Sequence, residues 1–321
     1  MKTLYPSIEP FRTHTLQHGI HGIHVEECGN PGGLPVLFFH GGPGSGCKPY
    51  HRSFFNADKY HIIIFDQRGA GRSLPSGSIE ENTTHDLLRD IELIRVTLGI
   101  DKWLLFGGSW GSTLALLYAQ AHPERVAGMI LRGTFLARNQ DLEWFAGTDT
   151  GITCVYPDLF EQLFSGIEHT SCFDLIIRLY RMVCSPHNAE IEQAARAWYI
   201  WGSQIILGAG YDPASVDLAS ELESVIHQSR LELHYAANRY FIEENQILNH
   251  CASIQDIPAI LIHGRHDMTC PLASSYALHR TLNHSRLLIL PDAGHTSSGP
   301  GMINALVEAT DTMITEAQWS I

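Results

Sequence analysis

The sequence lacks the features that mark a membrane or secreted protein. It contains no run of about 18 apolar residues, the length that a membrane-spanning helix needs. Residues 1–6 lack the apolar stretch of a secretory signal peptide. The seven cysteines are odd in number and include no Cys-x-x-Cys pair, which is typical of free thiols rather than of a disulfide framework. We therefore expect a cytoplasmic protein with no membrane partner.

Positive charge is also scarce. Lys and Arg number 21 against 34 Asp and Glu, which gives a formal net charge of −13. Because nucleic acids are polyanions, this balance argues against a nucleic-acid partner. Only 17% of the 321 residues are charged and 44% are hydrophobic. This composition is sufficient for the packed core of one large α/β domain or of two modest ones.

The signatures of common cofactor and metal sites are missing. Gly41 and Gly46 have the spacing of a P-loop, but Cys47 stands where that loop needs lysine. No Gly-x-Gly-x-x-Gly fingerprint of a dinucleotide site occurs. The histidines at 18, 21 and 24 are spaced by three, so on a strand the middle one faces away from the other two. We expect neither a cofactor nor a metal.

Apolar, β-rich segments recur along the chain with helical patterns between them. Continuous runs of Val, Ile, Leu and Phe are typical of strands buried on both faces of a mainly parallel sheet. The predicted strands are Pro35–Phe39, His61–Asp66, Trp103–Gly107, Val126–Leu131, Pro258–His263 and Arg286–Leu290. Residues 11–27 alternate in polarity and predict an antiparallel hairpin at the sheet edge. The fold class is therefore α/β, with a central sheet flanked by helices.

The strand pattern is interrupted between residues 138 and 257, where helical periodicity takes over. Both ends of such an insertion return to the same edge of the sheet, so it predicts a helical cap over the carboxyl ends of the strands, where open α/β sheets bind ligands. We divide the chain into a core of residues 1–137 and 246–321 and a cap of residues 138–245. Trp198 and Trp201, three apart on a predicted helix, are expected in the core of the cap.

The segment Gly107-Gly108-Ser109-Trp110-Gly111 follows a predicted strand and opens a predicted helix. This is the context that the Gly-x-Ser-x-Gly nucleophile elbow of α/β-hydrolases requires, although a chance match is the alternative in a chain rich in glycine. We predict Ser109 as a nucleophile.

A serine nucleophile needs a base and an acid that orients the base, and in these hydrolases they follow in the order Ser, acid, His. Asp267 and His295 each follow a predicted strand, so both are expected at the edge where Ser109 lies. Asp256 precedes its strand and lies at the opposite edge. Asp292 is the second candidate for the acid, although it stands only three residues from His295 and is typical of a turn.

The loop His40-Gly41-Gly42-Pro43-Gly44 directly follows a predicted strand. Glycine-rich loops at this place supply one backbone N–H of an oxyanion hole, and the residue after the nucleophile, here Trp110, supplies the other. The alternative is an ordinary Gly/Pro loop.

Five motifs together resemble the proline iminopeptidase (prolyl aminopeptidase) family of α/β-hydrolase serine peptidases, over nearly the whole chain. They are the loop at 40–44, Asp66-Gln67-Arg68-Gly69-Ala70-Gly71-Arg72-Ser73, the elbow at 107–111, Gly264-Arg265-His266-Asp267-Met268 and Gly294-His295. The resemblance implies release of N-terminal proline from small peptides, with Ser109 as nucleophile, His295 as base and Asp267 as orienting acid. It also implies the backbone N–H groups of Gly42 and Trp110 as oxyanion hole.

The same resemblance implies Phe135, Cys270 and Glu232 as substrate-binding residues, the first two around the prolyl ring and Glu232 at the substrate's free amine. Two positions depart from the family pattern. A second glutamate of the family, in Ala-Trp-x-x-Trp-Glu, is Gly202 here, and an aromatic residue, in Glu-x-His-Tyr-Phe, is Ala236. We therefore expect a roomier pocket with one carboxylate. Glu243 and Glu244 are candidate substitutes for the missing one.

These departures leave alternatives open. An esterase or amidase on the same scaffold, with an altered acyl pocket, is the second reading, because fold and triad alone do not determine the substrate. A ligand receptor that has lost catalysis is the third. The presence of Ser109, Asp267 and His295 in the expected order argues against it.

Overall fold

The computed structural model describes residues 1–212 and 218–317. Eight strands form one sheet in the order β1-β2-β4-β3-β5-β6-β7-β8. The strands are β1 (Arg12–His18), β2 (His21–Gly29), β3 (Leu34–Phe39), β4 (Tyr60–Phe65), β5 (Trp103–Gly108), β6 (Val126–Arg132), β7 (Ala259–Gly264) and β8 (Ser285–Leu290). Strands β3 to β8 pair in parallel, and only the β1–β2 and β2–β4 pairs are antiparallel. The predicted mostly parallel sheet and its edge hairpin are confirmed.

Ten α-helices are found in the described ranges. They are α1 (Thr84–Thr97), α2 (Trp110–Ala121), α3 (Asn139–Ala146), α4 (Pro157–Phe164), α5 (Cys172–Val183), α6 (Asn188–Leu207), α7 (Leu222–Ala237), α8 (Gln246–Asn249), α9 (Leu272–His279) and α10 (Pro300–Glu316). Helix α1 begins at a capping box, in which the Asp86 backbone N–H donates to the Thr83 hydroxyl and the Thr83 N–H donates to the Asp86 carboxylate. No helix within the described residues is long and apolar enough to cross a bilayer.

The core lies on both faces of the sheet because successive side chains of a strand point in opposite directions. On β3, Leu37 and Phe39 pack with α1, α2 and the helices beyond β6, whereas Val36 and Phe38 pack with α10 on the other face. The central strands β4 and β7 are buried along their whole length, while the edge strand β1 alternates between exposed and half-buried residues. This burial explains why the central strands have continuous apolar sequences.

Helices α3 to α7 lie between β6 and β7, where the sequence predicts the cap. Residues of α7 contact the segment that precedes α1: the Tyr235 hydroxyl donates to the Asn82 side chain at 2.8 Å, and His234 contacts the Asn82 carbonyl at 2.8 Å. These bonds position α7 above the carboxyl ends of the strands. Residues 213–217 of the predicted cap and 318–321 of the predicted core lie outside the described residues, and the domain boundaries remain predictions.

Candidate active site

Ser109 stands at the sharp turn between β5 and α2. Its backbone has φ 57° and ψ −127°, a conformation that L-residues rarely adopt. The turn brings neighbouring backbone so close that a Cβ atom at Gly107 would lie 2.3 Å from the Gly111 oxygen, and one at Gly111 would lie 2.2 Å from the Phe39 oxygen. Both positions therefore require glycine. The Ser109 N–H donates to the carbonyl of Arg132, the last residue of β6, at 2.9 Å.

Asp267 and His295 meet after the ends of β7 and β8. The His295 Nδ1 atom lies 2.8 Å from Asp267 Oδ2, and Asp267 Oδ1 accepts the backbone N–H groups of Thr269 and Cys270 at 3.0 and 2.8 Å. Burial alone would raise the pKa of Asp267, but the charge of His295 and these hydrogen bonds hold it below its ordinary value. Asp267 is thus held as an ionised carboxylate against the imidazole of His295.

The other two candidate acids lie elsewhere. Asp292 is exposed on the loop after β8. Asp256 precedes β7 and accepts a hydrogen bond from the Asn283 side chain at 3.0 Å. Neither contacts His295, so the structure brings Asp267 alone of the three to the histidine.

Arg132 links the serine and histidine loops. Its carbonyl accepts the Ser109 N–H, and its side chain donates to the His295 carbonyl. The guanidinium lies against Gly108, where a Cβ atom would be 2.4 Å from its Nη2. Burial lowers the pKa of Arg132 despite the attraction of Asp267. Sequence reasoning did not single out this side chain, because its partner is a backbone carbonyl 163 residues away.

The backbone segments that carry Gly42 and Trp110 both lie beside Ser109. Gly42 has φ 111°, and its loop approaches Ser109, since a Cβ atom at Gly41 would lie 3.6 Å from Ser109 Cβ. Trp110 is the first residue of α2, where a helix leaves its N–H groups without intrahelical acceptors. Neither N–H donates to an acceptor in the described part of the chain. Both donors are therefore free to bind an oxyanion.

The Gln67 side chain connects the loop at 40–44 to Trp110. Its side-chain amide donates to the His40 carbonyl at 2.9 Å, and its amide oxygen accepts the Trp110 indole N–H at 2.8 Å. The Gln67 backbone N–H donates to His40 Nε2 at 2.9 Å. Arg68 and Arg72 of the same motif form ion pairs with Asp90 and Asp66, so this motif holds loops together.

A cavity of about 410 Å³ lies between the sheet and the inserted helices. Its lining includes every residue predicted for catalysis or substrate binding except Asp267, which lies behind His295, and Trp110. The lining residues between positions 135 and 240 of the chain are Phe135, Asp141, Leu142, Phe145, Trp198, Tyr199, Gly202, Ser203, Ile206, Gln228, Glu232 and Tyr240. The structure therefore brings Ser109, His295, Gly42, Phe135, Cys270 and Glu232 to one cavity.

Glu232 projects from α7 into this cavity. One carboxylate oxygen accepts the Trp198 indole N–H at 2.8 Å, and the other accepts the Gln228 side-chain amide at 2.9 Å. Burial raises the pKa of Glu232 to about 7, although these two hydrogen bonds oppose the rise. No Lys, Arg or His pairs with it among the residues that the structure describes. A cationic group of a ligand would supply the missing counter-charge.

The cavity holds a second carboxylate that is already neutralised. Asp141 accepts two hydrogen bonds from the Arg138 guanidinium, at 2.8 and 3.0 Å, and one from the Ser274 hydroxyl. Glu243 and Glu244, the candidate substitutes for the carboxylate absent at Gly202, are exposed and do not line the cavity. Glu232 is therefore the one lining carboxylate, within the described ranges, that lacks a cationic partner.

Gly202 and Ala236 differ in their effect on the cavity. Gly202 lines it and leaves open space, because a Cβ atom at this position would have its nearest neighbour, an atom of the Phe145 ring, 3.9 Å away. Ala236 is 1% exposed and belongs to the core instead. The expectation that Ala236 widens the pocket is wrong, because its side chain is buried in the core and does not line the cavity.

The predicted ring-binding residues lie close to the serine. Cys270 Sγ is 4.0 Å from Ser109 Oγ, and Phe135 packs edge-on against Tyr240 with 5.1 Å between ring centroids. Trp201 is buried as expected, with its indole N–H donating to the Phe145 carbonyl. Trp198 is 4% exposed and belongs to the core as predicted, but it also lines the cavity, where its indole N–H donates to Glu232. Its contact with Glu232, 34 residues away, could not be predicted from the local helical periodicity.

Sequence comparison finds close relatives along nearly the whole chain. The chain is 43% identical over 322 residues to a proline iminopeptidase of Xylella fastidiosa (strain 9a5c), with 98% of this chain and 100% of the relative covered. It is 39% identical over 317 residues to a proline iminopeptidase of Arabidopsis thaliana, with 97% and 82% covered.

Comparison of folds agrees with the sheet topology. The family model of the alpha/beta hydrolase fold matches residues 35–299. Among solved structures, an esterase from Exiguobacterium antarcticum superposes with a TM-score of 0.59 at 19% identity, covering 98% of this chain and 99% of the other. The predicted α/β-hydrolase fold is confirmed. The chain belongs to the proline iminopeptidase family of α/β-hydrolases.

Proposed function

We propose that this enzyme is a prolyl aminopeptidase that releases N-terminal proline from small peptides through an acyl-enzyme on Ser109. The observation that carries this proposal is the Glu232 carboxylate, which lies in the cavity of the nucleophile without a cationic partner in the described ranges. A free amine is the group that such a carboxylate binds best, through charge-assisted hydrogen bonds. The relatives at about 40% identity, named as proline iminopeptidases, support the same substrate.

The proposed reaction uses the site as follows. Ser109 Oγ attacks the prolyl carbonyl carbon while His295 Nε2 takes the hydroxyl proton, and the N–H groups of Gly42 and Trp110 bind the resulting oxyanion. The C–N bond then breaks, and His295 returns the proton to the leaving amine. A water molecule, deprotonated by His295, attacks the acyl-enzyme and releases proline. Asp267 remains ionised throughout and fixes the imidazole tautomer.

The alternative of an esterase or amidase with an altered acyl pocket is not favoured. This alternative was based on the two departures from the family pattern, Gly202 and Ala236. Ala236 does not line the cavity. A receptor without catalysis is opposed by the Asp267–His295 pair, which has the 2.8 Å geometry that an active hydrolase needs. The remaining departure, Gly202, removes one carboxylate and leaves the nucleophile unaltered.

We further propose that residues 138–245 act as a cap that limits the access of bulk solvent and of large substrates to the cavity, with residues 1–137 and 246–321 as the core. Trp198 and Glu232 of the inserted helices face the same cavity as Ser109, which supports this division. A cytoplasmic location is supported by the seven cysteines, all of which are free. The net charge of −13 supports a small peptide rather than a nucleic acid as partner.

Replacing the acid tests the proposed triad. Asp267→Asn preserves the oxygen that accepts the Thr269 and Cys270 N–H groups but favours the wrong histidine tautomer, so kcat for a prolyl arylamide should fall by roughly 10⁴-fold. Asp292→Asn, at an exposed position nearby, should change kcat by less than about threefold. Steady-state kinetics with Ser109→Ala as blank measure both. A large loss of kcat in the Asp292 variant, together with an active Asp267 variant, would show that Asp292 rather than Asp267 is the acid.

Substrate choice tests the proposed activity. The enzyme should cleave a prolyl arylamide with a free amine and should cleave its N-acetylated form at least about 100-fold more slowly, because acetylation removes the charge that Glu232 binds. Steady-state hydrolysis of both, and of a short-chain aryl ester without an amine, makes the comparison. Good ester cleavage that depends on Ser109, together with poor cleavage of both prolyl substrates, would contradict an aminopeptidase.

The pH profile tests the role of Glu232. Because burial raises its pKa to about 7, the carboxylate is charged above this pH and neutral below it, so amine binding should strengthen as pH rises through about 7. The readout is kcat/KM for the prolyl arylamide divided by that for the amine-free ester, since this ratio cancels the titration of groups that serve both substrates. Glu232→Gln should flatten the ratio.

The matched control for this profile is Glu223→Gln, which removes an exposed carboxylate from the same helix, α7. It should retain the wild-type dependence. A ratio that is independent of pH in the wild type, or unchanged in Glu232→Gln, would show that Glu232 does not bind the amine.

A further inference from the structure

Tyr240 forms part of the cavity wall, in contact with Phe135, which is predicted to bind the prolyl ring. Its ring stacks on the Trp110 indole with 5.5 Å between centroids and meets the Phe135 ring edge-on at 5.1 Å. It is only 7% exposed, yet it lines the cavity together with Glu232 and Cys270. The ring therefore stands between the residue after the nucleophile and the predicted prolyl pocket.

The backbone holds Tyr240 in an unusual conformation. Arg239, Tyr240 and Phe241 have φ values of 49°, 55° and 55°, in the left-handed region that aromatic residues rarely adopt. The Thr84 hydroxyl donates to the Tyr240 carbonyl at 2.5 Å, and the Phe241 ring packs against Tyr235 at 5.5 Å. Such strain persists only where the surroundings enforce it, and it is concentrated at functional sites. Here it aims the Tyr240 side chain into the cavity.

The Tyr240 hydroxyl has no hydrogen-bond partner among the described residues. Buried tyrosine hydroxyls usually find one: those of Tyr60, Tyr118 and Tyr235 donate to the Thr310 carbonyl, to Glu92 and to Asn82. The Tyr240 oxygen is not sealed in the protein interior either, so it opens into the cavity. Burial raises the pKa of this phenol, and the charge of Glu232 raises it further.

The substrate's amine requires more than one acceptor. A prolyl amine is a secondary ammonium with two N–H donors, and each should be paired when water is excluded. Glu232 can accept one without losing its bonds to Trp198 and Gln228, because each carboxylate oxygen has two lone pairs. Gly202 offers no side chain, and the cavity carboxylate of Asp141 is bound by Arg138. A phenol oxygen is an effective acceptor for the second N–H.

We propose that Tyr240 is a specificity-determining residue, whose hydroxyl accepts one N–H of the substrate's secondary ammonium beside Glu232 and whose ring forms the wall against the pyrrolidine ring. This inference rests on the proposed aminopeptidase function. Tyr240 would thus supply both an acceptor for the amine, which Gly202 cannot provide, and an aromatic ring, which Ala236 cannot provide.

The decisive variant is Tyr240→Phe, which removes the hydroxyl and keeps the ring. It should lower kcat/KM for a prolyl arylamide by about tenfold or more, the effect of one hydrogen bond to a charged group. It should leave kcat/KM unchanged for an aryl ester of cyclopentanecarboxylic acid, which has the same ring size but no amine. Tyr180→Phe is the matched control, because this hydroxyl contacts His234 outside the cavity. The control should leave the ratio of the two substrates unchanged.

A rescue variant separates a contact from a purely structural role. Gly202 has open space around it, so Gly202→Glu in the Tyr240→Phe background should restore part of the prolyl activity and should leave the ester activity unchanged. Equal losses for both substrates in Tyr240→Phe, or no loss for either, would overturn the assignment of Tyr240. Failure of the proposed function looks different: the wild type itself would then cleave the cyclopentane ester and refuse the prolyl arylamide.

Discussion

Ser109 holds a backbone conformation, φ 57° and ψ −127°, that an L-residue adopts at a cost of about 1–3 kcal/mol. The turn exists because Gly107 and Gly111 let the end of β5, the start of α2 and the Phe39 carbonyl approach within distances that no Cβ atom tolerates. The same turn presents the hydroxyl above the sheet and leaves the Trp110 N–H free. In the proposed mechanism, Gly42, His295 and Asp267 can act only because this turn places the Ser109 hydroxyl next to them.

One carboxylate of the cavity, that of Glu232, has no counter-charge among the described residues. Asp267 is hydrogen-bonded to His295, and Asp141 is paired with Arg138, whereas Glu232 has two neutral hydrogen-bond donors and no cation in the described part of the chain. A partly buried carboxylate in this state is destabilised by lost hydration, which is why its pKa rises to about 7. A bound ammonium relieves that destabilisation. In the proposed aminopeptidase, recognition of the amine uses an imbalance already present in the free protein.

The sequence predicts the parts of this arrangement that depend on local patterns. Apolar strand runs predicted the sheet, and the parallel strands carry Ser109, Asp267 and His295 to one edge because each follows the carboxyl end of a strand. The acyl end of the cavity was not predictable in the same way. The inward position of Trp198 depends on the packing of α6 against α7, and that of Tyr240 on a left-handed segment without glycine, which no propensity rule anticipates.

The most direct test of the account is covalent labelling with an aryl phosphonate analogue of proline that carries a free amine. The phosphorus atom mimics the tetrahedral intermediate, so the nucleophile that attacks it becomes permanently modified. Peptide mapping by mass spectrometry should find the adduct on Ser109, with no adduct in Ser109→Ala and slow labelling in Glu232→Gln. An adduct on Cys270, 4.0 Å away, or full activity after exposure without any adduct, would contradict the assignment of Ser109 as the nucleophile.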